Sequence, residues 1–178
     1  VNHFEFFELP ISFYLDEKEL KKRFLQKSKK YHPDFFATDS EEKQQEVLEL
    51  STQINDAYKT LSDFNARMAY ILNEKGILGE EGKNEIPQDF LMEVMEIQET
   101  IMELEFDFTE SAYQNALQLV DSLDDELETE IESILKAYDD AKSNEEELKK
   151  VKDFFLKKKY LWRIRENLNR FAPASKEA

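Results

Sequence analysis

Residues 16–47 read DEKELKKRFLQKSKKYHPDFFATDSEEKQQEV, and this stretch decides the fold. Asp16 predicts a helix N-cap, with Glu19 three residues on to complete a box-like start. Leu20, Phe24 and Tyr31 share one face, so the helix runs to about Tyr31. Pro33 biases His32 away from helical dihedrals and ends it there. Thr38 with Glu41 three residues on fits a second capping box. Val47, Leu50, Ile54, Tyr58 and Leu61 then mark another helix, of about five turns. Two long helices joined by a Pro-containing loop make an antiparallel hairpin.

Working outward, Phe4, Phe7 and Leu9 form a short apolar opening that Pro10 closes, and Arg67 to Leu72 is a short helix behind the hairpin. All three glycines, Gly76, Gly79 and Gly82, fall in GILGEEGKNEIP, residues 76–87. That stretch reads as a linker between a first unit over 1–75 and a second over 88–172, with a tail over 173–178. Pro87 suits a helix start. Three further helices follow, Gln88 to about Phe108, about Ser111 to Ala141 and about Glu145 to Phe171, with Asn144 and Pro173 at their ends. Short connections between them predict an antiparallel three-helix bundle. The acidic run from Asp121 to Glu132 keeps Leu123, Leu127 and Ile131 at helical spacing, so it is a solvated helix face.

Composition agrees with an all-α fold. The 178 residues include only 3 Gly and 4 Pro, too few turn formers for a many-stranded protein. The 14 Phe and 7 Tyr supply packed cores. A net charge of −16 argues against sequence-independent binding to nucleic acid, which needs a basic surface. Without Cys there is no disulfide, zinc–thiolate site or thiol nucleophile. No apolar run is long enough to span a membrane, and no signal-peptide pattern opens the chain. The bacterial cytoplasm is the compartment expected, with a processed mitochondrial matrix form as the alternative. No Gly-rich phosphate loop is present, so the chain itself should not bind nucleotide. His3 reads as a packed or surface aromatic near Phe4, and with His32 the only other histidine a metal site is not expected.

Two stretches carry functional weight. The first is YHPDFF, Tyr31 to Phe36. Taken alone, His-Pro-Asp is a stiff loop in which Asp34 satisfies nearby amides. Its context differs from a plain loop. Residues 17–31 hold Lys18, Lys21, Lys22, Arg23, Lys27, Lys29 and Lys30 against Glu17 and Glu19, a net charge of +5 in an acidic protein. A solvated face would mix signs to gain support along the helix. A single-sign face suits an acidic partner surface. The second stretch is the helix after Pro87. Phe90, Val94, Ile97, Ile101, Leu104 and Phe108 fall within about 80° of one another and make a core stripe. Leu91, Met95 and Met102, with Met92 beside them, lie elsewhere on the same helix. Either both neighbouring helices cover that surplus, or it is an exposed patch rimmed by Glu96, Glu99 and Glu103, suited to a protein partner.

These residues bring out a resemblance. The first 75 residues resemble a J-domain. HFEFFELP, RFLQKSKKYHPDFF, INDAYKTL and RMAYIL, with FLMEVMEI and KYLWRI in the second unit, resemble the HscB family of J-type co-chaperones of iron–sulfur cluster assembly, over nearly the whole chain. The resemblance implies an L-shaped molecule that docks on a DnaK-class chaperone of the HscA type and stimulates its ATPase, with no chemistry or cofactor of its own. It implies chaperone contacts through His32, Pro33 and Asp34, with Asp34 meeting a chaperone arginine. The basic face would add Lys21, Lys22, Arg23, Lys29 and Lys30, with Lys27 a weaker candidate that also reads as a core-edge residue with a snorkelling head. It also implies that Leu91, Met92, Met95, Glu96, Glu99, Glu103 and Tyr160 hold the cluster scaffold, a protein of the IscU type. Glu8 departs from the family, which commonly has Gly before Leu9-Pro10. A J-protein with a different client is the alternative. A hydrolase using His32 with Asp34 is a third reading, disfavoured by the lack of a matching nucleophile motif.

Overall fold

The computed structural model describes residues 1–80, 82–142 and 144–172. The expected end signal Pro173 and tail 173–178 lie outside the described residues. The chain is all-α: α1 (His3–Phe6), α2 (Glu17–Lys30), a short 3-10 turn (Pro33–Phe36), α3 (Glu41–Ser62), α4 (Phe64–Glu74), α5 (Gln88–Phe106), α6 (Glu110–Ala137) and α7 (Glu145–Asn169). There is no strand among the described residues. Two compact units form, one of Val1–Lys75 with Leu135–Ser143 and one of Gly76–Ile134 with Asn144–Ala178.

In the first unit, α2 starts where expected: Asp16 Oδ1 accepts from the amides of Lys18 and Glu19, both at 3.1 Å. Glu19 does not complete the box, because its carboxylate pairs with Arg23 Nε at 2.9 Å. The cap of α3 is corrected from Thr38 to Ser40, whose Oγ accepts from Lys43 N at 3.2 Å. Thr38 lies in the turn ahead, which Gln44 braces by donating to the carbonyls of Ala37 (3.2 Å) and Asp39 (2.9 Å). α2 and α3 pack as a hairpin with Phe24 stacked on Tyr58 at 4.0 Å between ring centroids. Phe4, Phe7, Phe13, Leu20, Ile54, Leu61, Met68 and Leu72 fill the core. Of the two settings expected for His3, packed or surface, the packed one is found: its ring stacks on Tyr70 at 4.4 Å and its amide donates to Tyr70 Oη at 2.8 Å. Burial lowers the His3 pKa, against the nearby charges of Glu74 and Asp56.

Arg67 is the one buried charged side chain among the described residues, 2% exposed. Its Nε donates to the Phe13 carbonyl at 3.0 Å and its Nη1 to the Leu61 carbonyl at 2.5 Å. It thereby ties the segment before α2 to the end of α3.

α1 ends in a Schellman motif. Leu9 N donates to Phe4 O and Glu8 N to Glu5 O, both at 2.9 Å. The motif requires a left-handed residue at Glu8, whose φ is 57°. A side chain there costs about 1–2 kcal/mol, which is why glycine suits the site. Arg23 holds the turn nonetheless, with Nη1 donating to the carbonyls of Phe7 (2.8 Å) and Glu8 (2.5 Å). Glu8→Gly should therefore raise stability by about 1 kcal/mol in urea denaturation. An unchanged or lower midpoint would mean that Arg23 and the motif already absorb the strain.

In the second unit, α6 and α7 run antiparallel and are laced by charge. Lys158 Nζ reaches Asp124 at 2.5 Å and Glu128 at 2.7 Å, and Arg165 reaches Asp121 at 2.6 Å. Burial alone would lower the Lys158 pKa, but hydrogen bonds to Asp124 and Glu128 raise it. α5 runs parallel to α7, with Phe90 edge-on to Tyr160 at 5.9 Å and Arg170 paired to Glu105 at 2.8 Å. Asn144 caps α7 by accepting from Glu147 N at 2.8 Å. The expected core stripe of α5 is buried through Leu104. Phe108 is corrected out of it: the helix ends at Phe106, Asp107 is extended (φ −150°), and Phe108 lies beyond, half-exposed and stacked on Phe171.

Candidate functional sites

The first site is the loop between α2 and α3. His32 is the N-cap of the 3-10 turn, and its Nδ1 accepts from the amide of Asp34 at 3.2 Å. Phe35 N donates to the His32 carbonyl at 3.0 Å. Pro33 fixes φ at the first position of the turn. Asp34 thus projects from a stiff frame, its side chain 88% exposed and its Oδ2 3.6 Å from His32 Nδ1. Phe35 is also exposed, edge-on to the His32 ring at 6.2 Å. Both side chains are open to solvent, so the pair presents a carboxylate at the surface.

The basic face of α2 divides in two. Lys21, Lys22, Lys29 and Lys30 are exposed. Arg23 is half-buried and points inward, its donors engaged by Glu19, Phe7 and Glu8. Lys27 is half-buried with its ammonium 4.8 Å from the centroid of the Phe6 ring. Leu25 is an exposed apolar side chain with Lys21, Lys22 and Lys29 three or four positions away. Sequence reading passed over Leu25, although that spacing was available to it.

The second site is the outer face of α5. Leu91, Met92 and Met95 are all exposed, Met92 at 66% and Met95 at 55%. Of the two readings of the surplus apolar surface, the exposed one holds. Glu96, Glu99 and Glu103 are exposed beside them. Tyr160 of α7 is half-buried, and its hydroxyl accepts from Gln98 Nε2 at 3.2 Å, which fixes the ring beside α5. Met102 is 60% exposed and Phe106 is 91% exposed. The wheel signal for Phe106 is available in the sequence: it stands fifteen residues after Leu91, within about 60° of it.

Among the described residues no group of three or more His, Asp or Glu side chains converges. No helix among them is long and apolar enough to cross a membrane.

Comparison with known proteins gives two adjacent family matches. Residues 2–70 match the DnaJ domain, and residues 86–169 match the HSCB C-terminal oligomerisation domain. A co-chaperone protein HscB homolog of Aliivibrio salmonicida is 39% identical over 142 residues, covering 74% of this chain and 82% of that protein. The homolog from Aliivibrio fischeri is 43% identical over 106 residues, covering 58% of this chain and 61% of its own length. Among solved structures, chaperone HscB from Vibrio cholerae superposes with a TM-score of 0.65 at 31% identity, covering 96% of this chain and 97% of that one. Human co-chaperone protein HscB gives 0.69 at 28% identity, over 95% of this chain and 81% of its own.

Proposed function

This chain belongs to the HscB family of J-domain co-chaperones, and from that premise we propose that it delivers an iron–sulfur scaffold of the IscU type to a DnaK-class chaperone of the HscA type and stimulates that chaperone's ATPase. The observation that carries the reading is the exposure of Met92 and Met95 on a helix whose other apolar stripe is buried. An apolar centre with an acidic rim is how a specific protein interface is built.

The two ends of the task fall to different residues. Lys21, Lys22, Lys29 and Lys30 steer the chain onto an acidic chaperone surface, and Asp34 meets a chaperone arginine through charge-assisted hydrogen bonds. Arg23 acts as a positioning residue, since its contacts hold the α1 turn against α2. Hydrolysis takes place in the chaperone. The client docks on Leu91, Met92, Met95 and Tyr160, with Glu96, Glu99 and Glu103 at the rim.

The test is direct binding of a purified IscU-type scaffold by calorimetry. Met92→Glu should weaken binding by about tenfold or more, because it places a carboxylate at the apolar centre. The melting curve should not move, since the side chain is exposed. Unchanged scaffold affinity would remove α5 from the client site and favour a different client.

A further inference from the structure

The exposed apolar surface of α5 does not stop at the Met92 patch. Leu91, Met95, Met102 and Phe106 form a seam along its outer face, in which the polar, half-buried Gln98 separates Met95 from Met102. From Leu91 to Phe106 the seam is about 22 Å long at 1.5 Å per residue. Its last two members are more exposed than Leu91, and Phe106 at 91% is among the most exposed large apolar side chains of the chain. Such surface is unfavourable in water unless something covers it.

Two occupants fit the shape. The seam is nearly the same read in either direction about the midpoint between Gln98 and Glu99: Leu91 mirrors Phe106, and Met95 mirrors Met102. A second copy of the chain laid antiparallel would match apolar to apolar. Charge decides against it. α5 carries Asp89, Glu93, Glu96, Glu99, Glu103 and Glu105 and no basic side chain. Antiparallel pairing would bring Glu99 against its own mate at the two-fold axis and set a carboxylate-rich helix against its copy. Like charges so placed are repulsive. A different protein with basic flanks meets Glu96, Glu99 and Glu103 as attractions, while Glu105 is already paired with Arg170.

We infer that Met102 and Phe106 extend the client-docking surface to the end of α5, and that the client fitting it carries an apolar ridge about 20 Å long with basic side chains on its flank. This rests on the assignment of the Met92 patch as the client site. It adds two specificity-determining anchors beyond that patch. It also accounts for the one-sided charge of the helix: the carboxylates orient the client and discourage self-pairing.

The experiment uses the full chain and a purified IscU-type scaffold, with Met92→Glu, Met102→Ser and Phe106→Ser as single variants. Scaffold affinity is measured at low and moderate salt, and the mass of the free chain by sedimentation. Met102→Ser and Phe106→Ser should each weaken binding by roughly tenfold, and the affinity of the parent chain should fall as salt rises. Circular dichroism should not change, because both side chains are exposed. If Met92→Glu loses the scaffold while Met102→Ser and Phe106→Ser bind like the parent, the extension is wrong and the patch assignment stands. If all three bind like the parent, the patch assignment has failed as well. A dimer of the free chain that Phe106→Ser dissolves would make the second copy the occupant and overturn the inference.

Discussion

Asp34→Asn is expected to abolish stimulation of the chaperone ATPase, by about tenfold or more, while leaving scaffold binding intact. The magnitude follows from the loss of a charge-assisted contact worth about 1.5–3 kcal/mol. The substitution keeps the size of the side chain. It keeps the loop as well, because the bond from the Asp34 amide to His32 Nδ1 does not involve the carboxylate. Steady-state ATP hydrolysis by an HscA-type chaperone, with and without the variant, reads the effect. Stimulation equal to that of the parent chain would show that the exposed carboxylate has no role in coupling.

The second large effect concerns stability. Arg67→Leu should lower the unfolding free energy by about 3 kcal/mol, because it leaves two buried carbonyls without donors. Those carbonyls, of Phe13 and Leu61, belong to segments far apart in the chain, so the loss should appear as a cooperative destabilisation of the whole first unit. Urea denaturation followed by circular dichroism measures it. Arg67→Lys should recover only part, since a lysine ammonium on a flexible stem does not reproduce the guanidinium fork. A loss below about 1 kcal/mol for Arg67→Leu would mean that the site relaxes or admits water.

These two residues also mark what sequence can and cannot disclose. The helical hairpin was legible because Leu20, Phe24 and Ile54 keep a helical period and Pro33 breaks it, both of which are local signals. The cap of α3 was misplaced by two residues. Thr38, Asp39 and Ser40 are all capable caps, and only the frame of the finished helix selects among them. Phe108 was placed in the core by extending the wheel of α5 past its end at Phe106; periodicity does not say where a helix stops. Arg67 was invisible to patterning, because its reason for burial lies in the carbonyl of Phe13, 54 residues away. In the sequence Arg23 is one more cation on a basic helix; its partners in the α1 turn, the carbonyls of Phe7 and Glu8, are set by tertiary structure.

The candidate sites show the same division. His32, Pro33 and Asp34 were readable as a local triplet, and the structure adds the frame that presents them. On α5 the wheel disclosed more apolar surface than one stripe could bury, but two coverings were compatible with it. Exposure of Met92 and Met95 decided between them. The seam through Met102 to Phe106 is defined by side-chain exposure along the whole helix, which the wheel alone does not give.

The central claim is that one chain couples a client to a chaperone. On the proposed function, a scaffold joined to the chain would meet the chaperone at an effective concentration in the millimolar range expected for closely linked modules. The most direct measurement is steady-state ATP hydrolysis by an HscA-type chaperone with this chain alone, the scaffold alone, and both together. The account predicts a rate with both that exceeds the sum of the separate stimulations, an excess lost with Met92→Glu, and all chain-dependent stimulation lost with Asp34→Asn. A rate equal to that sum, unaffected by Met92→Glu, would contradict it.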